Sequence, residues 1–162
     1  MRRRAVLLLL AALFLTGLTG CVGDHRAELL EIGLRHPGGY ICSHRDTHGG
    51  FHGDGETEIR FYVPDIREED LCGLPGWQEG PLPEGMETIL YGGEYEGVHY
   101  GAYPESAPAG EIAYWFFLDR QNEKTHYTEE ELWAVRNRPS ANFTVALWLR
   151  TEQTIWYYRF DS

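Results

Sequence analysis

The sequence lacks the short motifs that most directly indicate an activity. It has no H-E-x-x-H helix, no C-x-x-C pair and no G-x-S-x-G nucleophile elbow, and no repeat or low-complexity tract. Positive charge is also scarce, since 14 residues are Lys or Arg against 25 Asp and Glu. That shortage argues against nucleic acid as a partner and against binding flat on an anionic membrane.

Long hydrophobic runs are scarce as well, and the one at the N-terminus is too short to cross a membrane comfortably. Three arginines at residues 2–4 precede an apolar run over residues 5–15. Crossing a hydrocarbon layer of ~30 Å needs about 20 apolar residues. The order of positive charge, apolar core and small polar residues therefore predicts a removable export signal.

The leader ends in L-T-G-C at Cys21, which resembles the lipobox of bacterial lipoprotein signal peptides. The resemblance implies that residues 1–20 are removed and that the Cys21 sulfur is acylated, where each buried CH₂ contributes roughly 0.8 kcal/mol of membrane affinity. Because Val22 follows the cysteine, and not Asp, the implied location is the cell membrane or an outer membrane, facing the extracytoplasmic side. An ordinary secretory signal and an uncleaved anchor are the alternatives.

The mature chain has the length and composition of one folded domain. Removing 20 of 162 residues leaves 142, and the loss of three arginines takes the formal charge from −11 to −14. Five Trp, ten Tyr and seven Phe argue against disorder, because aromatic side chains bury large areas. We therefore expect a tether and short helix over residues 21–39 and a single domain over residues 40–162.

Several segments show the period-two alternation of half-buried strands. In T-E-I-R-F-Y-V, Ile59, Phe61 and Val63 alternate with polar neighbours, and Y-I-C-S-H precedes them, which predicts a β-hairpin over residues 40–63. The apolar run E-I-A-Y-W-F-F-L-D predicts a central strand covered on both faces. A second hairpin is predicted from N-F-T-V-A-L-W-L-R and T-I-W-Y-Y-R-F, and M-E-T-I-L-Y-G-G predicts a further strand.

Helical signals are fewer than strand signals. Thr128 followed by Glu131 is a capping box that predicts a helix through about Asn137. A short helix is predicted within residues 22–37, and one or two helical turns within residues 64–73. Because no βαβ alternation recurs, the predicted fold class is α+β, an antiparallel sheet of about five strands with one or two short helices packed on it.

Three segments together resemble a small family of uncharacterised bacterial exported or lipoprotein-type proteins. They are D-T-H-G-G-F-H-G-D-G-E, the F-Y-V strand after it, and the C-terminal hairpin N-F-T-V-A-L-W-L-R with T-I-W-Y-Y-R-F. The resemblance spans most of the mature chain. That family has no assigned activity, so the resemblance bears on the fold and implies nothing about chemistry.

Once Cys21 is acylated, Cys42 and Cys72 remain as an even pair in an exported chain. A disulfide between them is chemically reasonable there and would stabilise the fold by about 3 to 4 kcal/mol in the loop-entropy model. It requires a Cα separation below about 7 Å. Two buried free thiols are the alternative.

The segment S-H-R-D-T-H-G-G-F-H-G-D-G-E supports two readings. On an extended chain His44, Asp46 and His48 share one side, and with His52 they could hold zinc or copper. The favoured reading is a tight turn, in which glycines allow sharp reversal while Asp46 and Thr47 bond nearby backbone groups. The two readings are compatible, because a rigid turn can frame a ligand.

Catalytic constellations are weak in this sequence. Ser43, His44 and Asp46 have the residue types of a hydrolase triad, but adjacent residues of a strand face opposite ways. Cys42 has the right parity to contact His44, but a bridge to Cys72 would remove that nucleophile. The adjacent carboxylates within residues 68–70 and 129–131 suit solvated helix surfaces.

An aromatic cluster could be core or could line a groove for sugar or peptide. Core is the favoured reading, and on the last strand we expect one face buried and the other partly exposed, because alternate residues there face opposite ways. The cluster comprises Trp115, Phe116, Phe117, Trp148, Trp156, Tyr157 and Tyr158.

These patterns favour a non-enzymatic, membrane-anchored extracytoplasmic lipoprotein whose domain binds an unknown protein or small ligand without a cofactor. The alternative is a lipoprotein that binds zinc or copper through the loop at residues 44–56. A hydrolase is the third and weakest reading.

Overall fold

The computed structural model describes residues 25–35, 37–49 and 53–162. A six-stranded antiparallel sheet has the order β1-β2-β8-β7-β6-β3, and β4 and β5 form a separate two-stranded sheet. The strands are β1 (Tyr40–Asp46), β2 (Gly55–Tyr62), β3 (Trp77–Glu79), β4 (Gly93–Tyr95), β5 (Val98–Tyr100), β6 (Ile112–Asp119), β7 (Phe143–Leu149) and β8 (Thr154–Asp161). The helices are α1 (Arg26–Glu31), α2 (Glu68–Cys72), α3 (Glu84–Tyr91) and α4 (Glu129–Arg136).

The α+β prediction is confirmed at the level of class and antiparallel sheet, but the number of elements differs. The main sheet has six strands instead of about five, and the described residues contain four helices instead of one or two. The segment M-E-T-I-L-Y-G-G lies in α3 and not in a strand, so that prediction is wrong. Met86, Ile89 and Leu90 are fully or almost fully buried there, and their spacing suits one face of a helix.

Both predicted hairpins are present. β1 pairs with β2 from Tyr40 opposite Tyr62 to Asp46 opposite Thr57, with an irregularity near the start of β1. β7 pairs with β8 along its whole length. The predicted capping box is also confirmed, since the Thr128 hydroxyl accepts from the Glu131 backbone N–H at 3.3 Å.

The central strands β6, β7 and β8 are buried on both faces, and this corrects the expectation that the last strand has one partly exposed face. On β8, Trp156 and Tyr158 belong to one core and Tyr157 to the other, and all three are 0% exposed. Helix α2 and the segment that follows α1 cover the face of the sheet that carries Tyr157. Helices α3 and α4 cover the opposite face. The predicted aromatic cluster is core, because helices lie over both sides of the strands that carry it.

The segment that includes α1 packs on the sheet. Ile32 is fully buried, and its carbonyl accepts a hydrogen bond from the Trp77 indole N–H at 2.7 Å. The Glu31 carboxylate accepts from the Tyr157 hydroxyl at 2.6 Å. Residues 25–35 therefore belong with the core. Cys21 and the leader lie outside the described residues, and within those residues no helix is long and apolar enough to cross a membrane.

The two remaining cysteines are free and exposed, not bridged and not buried. Cys42 lies on β1 at one edge of the sheet, whereas Cys72 lies beside Tyr114 of β6. Four strand spacings separate β1 from β6, which is about 19 Å. A disulfide needs a Cα separation below about 7 Å, so this placement does not favour the bridge.

Candidate functional site

The end of the β1–β2 hairpin concentrates charged side chains, and strand alternation divides them between the two faces. His44 lies opposite Ile59, which belongs to the core beneath α1, and Asp46 shares that face. Arg45 lies opposite Glu58 on the other face. The loop that the sequence singles out therefore forms two clusters with the sheet between them.

The hairpin connection makes the turn bonds expected from its sequence. The Asp46 carboxylate accepts from the His48 backbone N–H at 2.8 Å, and the Thr47 hydroxyl accepts from the Glu56 backbone N–H at 2.8 Å. Gly55 allows a close approach, because a Cβ there would lie 2.8 Å from the Cα and backbone nitrogen of His48. The connection thus folds back onto β2 and carries the His48 ring over the sheet.

His48 is held between two carboxylates. Its Nδ1 lies 2.7 Å from Asp46 Oδ1, and its Nε2 lies 3.0 Å from Asp161 Oδ2. A carboxylate oxygen only accepts, so both contacts are hydrogen bonds only when both ring nitrogens carry protons. In this arrangement both ring nitrogens of His48 face carboxylate oxygens.

Asp161, on the final strand, is contacted by two arginines and by the His48 ring. Arg120 Nη2 lies 2.6 Å from Oδ1, and Arg159 Nε lies 2.9 Å from Oδ2, beside the His48 contact. Burial would raise the pKa of Asp161, but the hydrogen bonds from these groups outweigh it and hold the pKa below its usual value. The backbone N–H of His48 is the largest cause that lowers the pKa of Asp46.

The other predicted ligands do not join this group. The His44 ring packs edge-on against His25 with centroids 4.4 Å apart, and His25 Nδ1 lies 3.6 Å from a Glu28 oxygen. His52 lies outside the described residues. Among residues 25–35, 37–49 and 53–162, no three His, Cys, Asp or Glu side chains are placed to hold a metal ion. Of the predicted ligands, Asp46 and His48 are therefore in contact with each other, whereas His44 contacts His25.

The comparisons with known proteins give no family. No family model matches the chain, and neither a curated protein nor a solved structure does. The resemblance to lipoprotein-type proteins stays a prediction, and the function must be argued from the geometry of this chain.

The opposite face of the hairpin holds a cluster centred on Arg45. Its Nη1 lies 2.8 Å from Glu105 Oε2, and its Nη2 lies 3.1 Å from Glu56 Oε2 and 3.6 Å from Glu58 Oε2. Glu58 is only 9% exposed and accepts a hydrogen bond from the Trp156 indole N–H at 3.0 Å. No pattern in the sequence predicts this group, because Glu105 comes from a loop distant along the chain.

One arrangement in the first cluster has the residue types of a hydrolase triad. The Thr57 hydroxyl lies 3.3 Å from His48 Nδ1, and Asp161 contacts the other ring nitrogen. However, the carboxylate of Asp46 is the closer partner of Nδ1, and Thr57 is only 7% exposed. Ser43 lies on the face opposite His44. Neither hydroxyl is presented as an activated nucleophile.

A cleft of about 430 Å³ lies between the segment that follows α1 and the start of α2. Leu34, Ile66 and Leu74 line it with apolar surface, and Arg35 and Asp65 add opposite charges. This volume falls within the range of small-molecule sites. The cleft is therefore one candidate place for a small ligand in the part of the chain that the structure describes.

Asp161→Asn should destabilise the fold by about 2 kcal/mol near neutral pH, because hydrogen bonds from charged donors lose their ionised acceptor. The folded-state pKa of Asp161 lies below the usual value of about 3.9. The contribution is therefore present above that value and disappears as the pH falls through the folded-state pKa. Urea unfolding from about pH 7 down to about pH 3 measures the difference between variant and wild type.

Asp54→Asn is the matched control in the same hairpin, where Asp54 is exposed, and it should change the free energy of unfolding by less than about 0.5 kcal/mol. An equal loss from both variants, or a loss from Asp161→Asn that does not shrink as the pH falls from about 7 to about 3, would contradict the assigned role of Asp161.

Proposed function

We propose that the chain is a membrane-anchored extracytoplasmic lipoprotein whose single α+β domain binds a protein or small ligand. The observation that carries the proposal is the leader, in which three arginines and an apolar run precede L-T-G-C at Cys21. The packing of residues 25–35 on the sheet supports the proposal, because it places folded structure a few residues after Cys21 and leaves a short linker to the anchor. Only about three residues separate Cys21 from the start of the described chain.

The arrangement of side chains favours binding over catalysis. In both hairpin clusters the charged groups are engaged with oppositely charged neighbours, and the hydroxyls nearest to His48 and His44 are buried or on the wrong face. The formal charge of −14 after removal of the leader favours a ligand or partner with positive charge over nucleic acid. The proposed activity therefore needs no cofactor.

Expression of the full chain in a bacterial host tests the anchor. Wild-type protein should fractionate with membranes and give an N-terminal peptide that begins at acylated Cys21, whereas Cys21→Ala should keep its leader or leave the membrane unacylated. Cys42→Ala is the matched control and should behave as wild type. Wild-type protein with an unprocessed N-terminus and no acyl group in the cytosolic fraction would contradict the proposal.

A second candidate is a lipoprotein that binds zinc or copper. One observation favours it, because the imidazole rings of His25 and His44 are in edge-on contact and the Glu28 carboxylate lies 3.6 Å from His25 Nδ1. If the loop binds metal, purified protein should contain stoichiometric zinc or copper that His44→Ala or His48→Ala removes. If the leading proposal holds, metal is substoichiometric and a chelator leaves the melting temperature unchanged.

A further inference from the structure

Two cavities that are both lined by Ile66 differ in how their charged side chains are balanced. In one of them, Arg150 Nε lies 2.7 Å from a Glu68 carboxylate oxygen, so the two charges are paired. In the other, the cleft of about 430 Å³, neither the Arg35 guanidinium nor the Asp65 carboxylate has a hydrogen-bond or ion-pair partner among the described residues. That cleft therefore offers a positive and a negative group to a ligand.

One wall of this cleft is fixed by the motif that ends α1. The Gly33 backbone N–H donates to the Leu30 carbonyl at 3.0 Å, and the Leu34 N–H donates to the Leu29 carbonyl at 2.8 Å. With a φ of 83° at Gly33, these two bonds form a Schellman motif. Leu34 is 6% exposed and belongs to the core, so the adjacent Arg35 starts from a fixed point of the backbone.

The opposite wall consists of the segment before α2 and the residues that follow α2. The Ile66 backbone N–H donates to the Val63 carbonyl at 3.2 Å, and the Leu74 N–H donates to the Leu71 carbonyl at 2.9 Å. Ile66 is 7% exposed and lies in the same core as the first wall. Asp65 directly precedes it. Because both walls are fastened to one core, the cleft exists before a ligand enters, which lowers the entropy cost of binding.

We propose that this cleft binds the zwitterion of a small apolar α-amino acid, such as leucine. We name it the α1–α2 cleft, and the residues that the proposal uses are Leu34, Arg35, Asp65, Ile66, Asp70 and Leu74. The proposal rests on the binding function proposed above and specifies the class of its small ligand. It does not depend on the lipid anchor.

The charges of the cleft select a ligand that carries both signs. A guanidinium can donate two parallel hydrogen bonds to a carboxylate, which assigns the ligand's carboxylate to Arg35. The ligand's ammonium group is assigned to Asp65, because the Asp70 carboxylate already accepts the Arg67 backbone N–H at 2.9 Å. A simple acid would leave the negative wall without a partner, and a simple amine would leave Arg35 without one.

The apolar surface and the volume select the size of the ligand. Leu34, Ile66 and Leu74 line the cleft with aliphatic groups, which an aliphatic side chain of a ligand can cover. The volume of about 430 Å³ is at the lower end of the range of small-molecule sites. One small molecule therefore suits the cleft better than a long peptide.

Isothermal titration calorimetry of the full acylated chain in non-ionic detergent near neutral pH tests the proposal, with L-leucine as the probe. Leucine should bind with a dissociation constant of about 10⁻⁴–10⁻³ M, as expected for a ligand with few atoms. Isocaproate lacks the ammonium group, isoamylamine lacks the carboxylate and glycine lacks the side chain. Each should bind at least tenfold more weakly than leucine.

Two substitutions locate the ligand. Arg35→Met and Asp65→Asn should each weaken leucine binding at least tenfold, and because both side chains are exposed and without partners in the described residues, neither should unfold the domain. The matched controls are Arg67→Met and Glu69→Gln. These side chains are exposed on the same segment but do not line the cleft, so both variants should bind leucine as the wild type does.

No binding of leucine by folded wild-type protein would overturn the proposal, and so would leucine binding that survives both Arg35→Met and Asp65→Asn. Binding of isocaproate or isoamylamine as tight as that of leucine would overturn the choice of a zwitterion. The mass of the N-terminal peptide from the same preparation reports the anchor separately. Leucine binding by a chain that is not acylated at Cys21 would support the cleft and contradict the anchor, whereas an acylated chain without leucine binding would overturn the ligand proposal alone.

Discussion

The burial of β8 on both faces is the constraint on which the rest of the structure depends. Trp156, Tyr157 and Tyr158 follow one another on a strand and all are 0% exposed. Side chains on a strand alternate between faces, and large aromatic side chains bury about 150–250 Å² each, so neither face of the sheet can be left open to water. Helices must therefore cover both sides, and β8 must lie inside the sheet, where β2 and β7 flank it.

This constraint also decides where polar chemistry can occur. The middle of the sheet is filled by two apolar cores, and two clusters of charged side chains lie at the end of the β1–β2 hairpin. Asp161 and His48 meet on one face, and Arg45 and Glu58 meet on the other. The described residues therefore present charged groups at the hairpin end and an open cleft of about 430 Å³ beside α2.

Local patterns in the sequence predicted the local elements. The alternation over residues 40–63 gave the first hairpin, Thr128 with Glu131 gave the start of α4, and Asp46 gave the turn bond to His48. Contacts between distant segments were not predictable in this way. His48 and Asp161 are 113 residues apart, and their contact depends on a strand order that no single segment encodes.

Three other differences between the predicted and the observed structure have physical causes. The segment of α3 was predicted as a strand because a short apolar run is compatible with the period of a helix and with that of a strand. The helix forms because it packs its apolar face on the core beneath it. The second face of the sheet was expected to be partly exposed because one strand does not show how many helices are available to cover it. The cluster around Arg45 was missed because Glu105 reaches it from a loop far from the hairpin.

Amide hydrogen exchange at residues 155–158 under native conditions is the most direct test of the central role of β8. If both faces are covered as described, these amides should exchange only through global unfolding, with the same free energy that urea unfolding gives. Exchange at a much lower free energy, while β6 and β7 stay protected, would show that β8 opens separately and would contradict the account.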